Sequence, residues 1–213
     1  MNSSEVSAET LALYQKYHEE SRRNAALKAD NAKVILLKEY EEISNFISDI
    51  ENKRDEVERH CTLSLNADRS DKKNIIIPSN PYLDSLIQTV TDHICKLLNC
   101  YRDLKIWIQY HVPALTDGAD FRIPVIEDVL SMITNVEGSS SGFLSNGIDY
   151  HLKRAGIVKI LRSFPQHEDA KAALSHHDNK SFTDVYVSSC SIRDDLSQVI
   201  DILTKNENII TSQ

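Results

Sequence analysis

PYLDSLIQTVTDHICKLLNCYRDLKIWIQYHVP, residues 81–113, is the segment on which the fold turns. Leu83, Leu86, Ile87, Val90, Ile94, Leu97, Leu98, Tyr101, Leu104, Ile108 and Val112 recur at helical spacing up to Pro113. Roughly thirty residues rising ~1.5 Å each predict a rod of about 45 Å. A rod of that length suits a helix bundle and not a compact mixed domain. Asn80 stands where an N-cap belongs, and Pro81 suits a first helical position because its missing N–H has no intrahelical partner there. Trp107 falls within the apolar repeat and is expected in the core.

Upstream, Leu36, Ile43, Ile50 and Val57 repeat every seven residues, with Tyr40 and Ile47 between them. That seam calls for partner helices along residues 31–60. Residues 6–30 are alanine-rich and charged and extend the same helix, with 1–5 frayed. Residues 65–80, with Asn66, Asp68, Ser70, Asp71, Pro78 and Ser79, read as a connecting loop.

Downstream, residues 113–120 break the pattern: Pro113 begins the break and Asp117-Gly118 is a turn signature. Asp120 is placed to cap a third helix containing Phe121, Val125, Ile126, Val129, Met132, Ile133 and Val136. Four of the five glycines then lie between 138 and 156. Each costs about 1 kcal/mol inside a helix, so local rules make 138–147 a loop. Helical character resumes at Tyr150, Leu152, Ile157, Ile160 and Leu161 and stops near Pro165. A last helix starts near Glu168, passes Leu174, Phe182, Ile192, Leu196, Val199 and Leu203, and frays into a tail over 207–213.

With five glycines and five prolines in 213 residues, turns are too few for a strand-rich protein, so one all-α domain over 1–213 is expected. The net charge of −8 argues against binding nucleic acid through phosphates. No apolar run approaches the ~20 residues of a membrane span, and residues 1–9 contain no signal-peptide core. Cys61, Cys95, Cys100 and Cys190 form no CxxC pair and read as reduced thiols. A zinc site from Cys190 with His176 and His177 lacks ligand spacing, and that His pair, beside Asp178, is expected on a solvated face. There is no GxxxxGK[ST] phosphate loop, and Ser139–Ser141 do not form a GxSxG elbow. No acid, base and nucleophile converge, so neither catalysis, metal nor cofactor is expected.

Residues 104–128, LKIWIQYHVPALTDGADFRIPVIED, resemble the end of helix two, the activation loop and the start of helix three of the 11S (REG) proteasome activator family. Trp107, Gln109, Pro113, Asp117, Gly118 and Phe121 match the family pattern position by position, and Val112 and Leu115 are close substitutes. Tyr150, Arg154, Ala155, Val158, Pro165, Glu168 and Asp169 resemble the gamma-type members, and Ile192-Arg193 and Asp201–Asn206 resemble the final helix. The likeness covers about 100–206 well and 26–60 loosely, and its gapless spacing places 138–147 inside helix three, against the local reading.

The resemblance implies four long helices in an antiparallel bundle, assembled side by side into a homoheptameric ring on the α-ring of the 20S proteasome. It implies ATP-independent gate opening, in keeping with the missing phosphate loop. Ala114, Leu115, Thr116, Asp117, Gly118, Ala119, Asp120 and Phe121 would form the activation loop, and Ile210, Thr211, Ser212 and Gln213 the docking tail. The family's loop arginine is Ala114 here, its glutamate Thr116, its two asparagines Ala119 and Asp120, and its glycine Arg122. Family members also run several residues past the position of Gln213. These departures point to a divergent ring that binds without activating as one alternative, and an unrelated coiled-coil adaptor is another. The gamma-type likeness suggests the nucleus, and the absence of a strong basic cluster suggests the cytoplasm.

Overall fold

The computed structural model describes residues 8–66, 77–113 and 120–212. They form four helices: α1 (Ala8–Asn66), α2 (Pro81–Gln109), α3 (Arg122–Ser163) and α4 (Glu168–Thr211). No strand occurs among the described residues, and none of the helices is long and apolar enough to cross a membrane. Neighbouring helices pack in the order α1, α2, α3, α4 and back to α1, with α2 also touching α4. That leaves α1 and α3 at opposite corners of the bundle.

The heptad seam of α1 behaves as its spacing predicts: Leu36, Ile43, Ile47, Ile50 and Val57 are all at most 5% exposed. Leu36, Ile43 and Ile47 join Val90, Ile94, Leu97, Tyr101 and Leu104 of α2 and Ile192, Leu196 and Val199 of α4 in one core cluster. Ile50 and Val57 join Leu83, Leu86, Tyr150 and Phe182 in a second. Burying each such aliphatic side chain contributes about 1.5–3 kcal/mol. Tyr40 is an exception to the expected seam and faces outward. The buried position next to it belongs to Glu39, whose carboxylate is held by His93 (2.5 Å) and Lys96 (2.7 Å) of α2.

Asn80 caps α2 as expected, its Oδ1 accepting from the Leu83 N–H at 3.3 Å with Pro81 in the first turn. The expected 65–80 loop starts two residues later, because α1 continues to Asn66, and it ends as expected with α2 beginning at Pro81. Its residues 67–76 lie outside the described residues.

Residues 138–147 are helical, and α3 runs through them without a break. The local reading as a loop is therefore corrected, and the reason lies in packing. Val136 and Tyr150 on either side are buried, and Ser140 is fully enclosed between them. Gly147 lies so close to α2 that a Cβ there would come within 2.8 Å of Ile87 Cγ2. Gly138, Gly142 and Gly156 face open space and serve no such purpose.

Candidate functional site

The described residues that flank the expected functional segments, Asp120 to Arg122 and Ile210 to Ser212, lie at one end of the bundle. There α2 runs out, α3 begins and α4 finishes. The α2 end tightens through His111 N–H to the Ile108 carbonyl (2.9 Å) and Val112 N–H to the Gln109 carbonyl (3.3 Å), and Pro113, with no N–H, cannot continue it. Val112, expected within the apolar repeat, is exposed beyond the helix. Trp107 is buried as expected. Lys33 of α1 lies 4.4 Å above its ring and pairs with Glu207 of α4 at 2.6 Å, so one cation joins three helices. His111 Nδ1 lies 2.8 Å from the Trp107 carbonyl. His18, on an α1 segment exposed throughout 9–24, touches the Tyr110 ring edge-on.

Of the expected activation loop, Ala114, Leu115, Thr116, Asp117, Gly118 and Ala119 lie outside the described residues. Asp120 and Phe121 are described, and Phe121 is 73% exposed. Asp120 does not cap α3 in the expected way. Its Oδ1 accepts from the Arg122 N–H at 2.9 Å, only two residues on, and its carbonyl accepts from Ile123 N–H. Both carboxylate oxygens also receive the Arg122 guanidinium, from Nε at 3.0 Å and Nη2 at 2.6 Å. The Arg122 side-chain and backbone hydrogen bonds hold the Asp120 carboxyl below its ordinary range. Arg122 Nη1 donates to the Ser212 carbonyl, tying the start of α3 to the end of α4.

The tail expected over 207–213 is helical through Thr211, because Ile210 is fully buried and draws the last turn onto the bundle. Ser212 N–H then bonds the Asn208 carbonyl (3.1 Å), and its hydroxyl donates to the Ile209 carbonyl (2.8 Å). Gln213 lies outside the described residues.

Other polar clusters have structural roles. Glu39, Glu42 and His93 are the one group among the described residues with metal-ligand geometry. Lys96 already reaches both carboxylates (2.7 and 3.3 Å), and the Glu39 hydrogen bond raises its pKa, so the position is occupied by an ammonium. The structure does not unite Cys190 with His176 and His177. They lie thirteen or more residues apart on α4, about 20 Å along the axis. The solvated face expected there holds for His176, which is exposed, and is corrected for its neighbours. His177 stacks on Tyr150 (5.3 Å, 14°), and Asp178 is fully buried against Arg154 of α3 (3.1 Å). These inter-helix polar pairs escaped sequence reading, since nothing in the spacing of Arg154 and Asp178 marks them as partners.

A family model described as "Proteasome activator PA28, C-terminal" matches residues 76–212, more than half of the chain. The chain belongs to the PA28 proteasome activator family. Among PA28 relatives, human "Proteasome activator complex subunit 3" is 24% identical over 133 residues, covering 62% of this chain and 52% of its own. "Proteasome activator 28" of Dictyostelium discoideum is 24% identical over 131 residues, 62% of this chain and 58% of that one. The chain thus spans about half the length of the curated relatives it matches. Its fold resembles the 11S subunit PA28 of Plasmodium falciparum at TM-score 0.68 and 17% identity, covering 100% of this chain and 98% of that one. It also resembles the trypanosome activator PA26, solved with the yeast 20S proteasome, at TM-score 0.73 and 16% identity, with 93% of each chain covered. The 11S resemblance and the all-α bundle expected from 104–128 are both shown by these findings.

Proposed function

We propose that this PA28-family chain is a non-catalytic, ATP-independent activator of the 20S proteasome, working as a homoheptameric ring. The observation that carries the reading is the convergence at one bundle end. The residues flanking the 113–120 connection and the end of α4 meet there through Arg122 and Ser212. Docking and gating elements on one face are what an activator seated on a gated ring requires. Each subunit then binds weakly, and several together bind tightly through effective concentration.

Ring formation is supported by apolar surface that the single chain leaves open. Leu27, Val34 and Leu37 on α1, and Ile148, Leu152 and Ile160 on α3, are all exposed. Since α1 and α3 occupy opposite corners, one chain's α1 stripe meeting the next chain's α3 stripe is a heterologous contact, the kind that closes into rings.

A ring that binds without opening the gate is the second reading. Ile210 and Thr211, expected in a docking tail, are engaged in α4, which leaves docking to the chain from Ser212 onward. The test is hydrolysis of a fluorogenic peptide by latent 20S proteasome without ATP, together with co-sedimentation. Stimulation that Asp117→Ala or Gly118→Val abolishes supports the activator. Binding without stimulation selects the second reading, and failure to bind sinks both.

A further inference from the structure

We infer that Arg122 is a positioning residue that fixes where the chain leaves the end of α4 relative to the stem of the 113–120 connection; this rests on the proteasome-activator reading. Helix α4 carries no basic residue in its last turn. Its final carbonyls have no intrahelical partners, and the negative end of the helix dipole goes uncompensated by its own sequence. Arg122, the first residue of α3, supplies the missing cation from a neighbouring helix by donating from Nη1 to the Ser212 carbonyl.

The guanidinium is itself fixed. Nε lies 3.0 Å from both Asp120 carboxylate oxygens and Nη2 lies 2.6 Å from Oδ2, while the Arg122 backbone N–H bonds Oδ1 at 2.9 Å. A planar fork gripped along one edge has its remaining N–H groups aimed in a set direction, which a lysine ammonium cannot reproduce. The burial of Ile210 anchors the same turn from the other side. Whatever follows Ser212 therefore departs from a point held against Asp120, the last residue of the connection.

In a multivalent attachment, a fixed departure point reduces the conformational freedom each tail loses on docking. Releasing it weakens engagement without removing any residue that would enter the partner.

The experiment compares wild type with Arg122→Ala and Arg122→Lys, using latent 20S proteasome as the probe and the full-length chain. Hydrogen exchange of the amides at 209–212 reports the clamp, and helical content and melting temperature confirm that the bundle is intact. Arg122→Ala is expected to speed exchange in that turn and raise the concentration giving half-maximal peptide hydrolysis about tenfold. Arg122→Lys, which keeps charge but loses the fork, is expected to fall between Ala and wild type in both. Faster exchange with unchanged half-saturation would overturn the positioning role, leaving a helix cap alone. Unchanged exchange would overturn the clamp itself. If wild type fails to engage 20S, the proposed function falls and the positioning role falls with it. Exchange then judges only the clamp.

Discussion

Asp178 shows how much a single buried charge depends on its partner. Its carboxylate is fully enclosed and receives Arg154 Nε at 3.1 Å and the Tyr150 hydroxyl at 3.2 Å. Burial, then the Asp178 charge, pushes the Tyr150 hydroxyl above its ordinary range, so it stays a donor. Asp178→Ala leaves the Arg154 cation buried without its counter-charge and is expected to cost about 3–5 kcal/mol. The paired change Arg154→Met with Asp178→Leu removes both charges and is expected to be far milder. Chemical-denaturation midpoints for both variants test this. Asp120 is a second case, with the sign set by its lowered pKa. A carboxylate depressed in the folded state contributes fully above its ordinary value of about 3.9, and that contribution is lost only as pH falls through the depressed value. The Arg122 tie therefore persists through mildly acid solution. An Asp120 carboxyl titration followed by NMR should have its midpoint below about 3.9 and should move upward in Arg122→Ala.

At the scale of the element, α3 holds the disagreement between local propensity and tertiary packing. Four glycines within 138–156 say loop, and the structure is an unbroken helix from Arg122 to Ser163. The glycines differ in their reasons. Gly147 is required by the approach of Ile87, so Gly147→Ala overpacks the α2–α3 contact and is expected to destabilise by about 1–3 kcal/mol. At Gly138 and Gly142 a Cβ meets nothing within 4 Å. Alanine at either is expected to stabilise by about 0.5–1 kcal/mol by removing freedom from the unfolded chain. Thermal melts of the three single variants should rank accordingly. The heptad of α1 was legible at five positions and misleading at Tyr40. Periodicity marks a face, but the choice between Tyr40 and Glu39 at its edge was made by His93 and Lys96 across the groove.

For the whole molecule, the question is what covers the apolar stripes of α1 and α3. Seven chains of 24.2 kDa would give a particle of about 170 kDa. Leu152 is 67% exposed on α3. Leu152→Glu is expected to reduce that particle to monomers at micromolar concentration while helical content is retained, because the residue contributes nothing to the chain's own core. Mass photometry beside circular dichroism makes the comparison, and a monomeric wild type would count against the ring. The site end of the bundle was legible in part: Trp107 is in the core, while α2 ends at Gln109, ahead of the break expected from Pro113. Its assembly was not, because Arg122 and Ser212 stand ninety positions apart and share no motif.

Four long helices, an apolar seam on each and a break between α2 and α3 could be read from periodicity and turn chemistry, since both are properties of near neighbours along the chain. The family could be read from one stretch, residues 104–128, because Trp107, Gln109, Pro113, Asp117, Gly118 and Phe121 follow the family pattern in order. Folding the helices against one another settled the rest. It made a helix of 138–147, drew Ile210 into the core, enclosed Asp178 with Arg154, and brought Arg122 to the end of α4. Each of these rests on a contact between distant segments, where burial outweighs local preference and a polar group takes whatever partner packing provides.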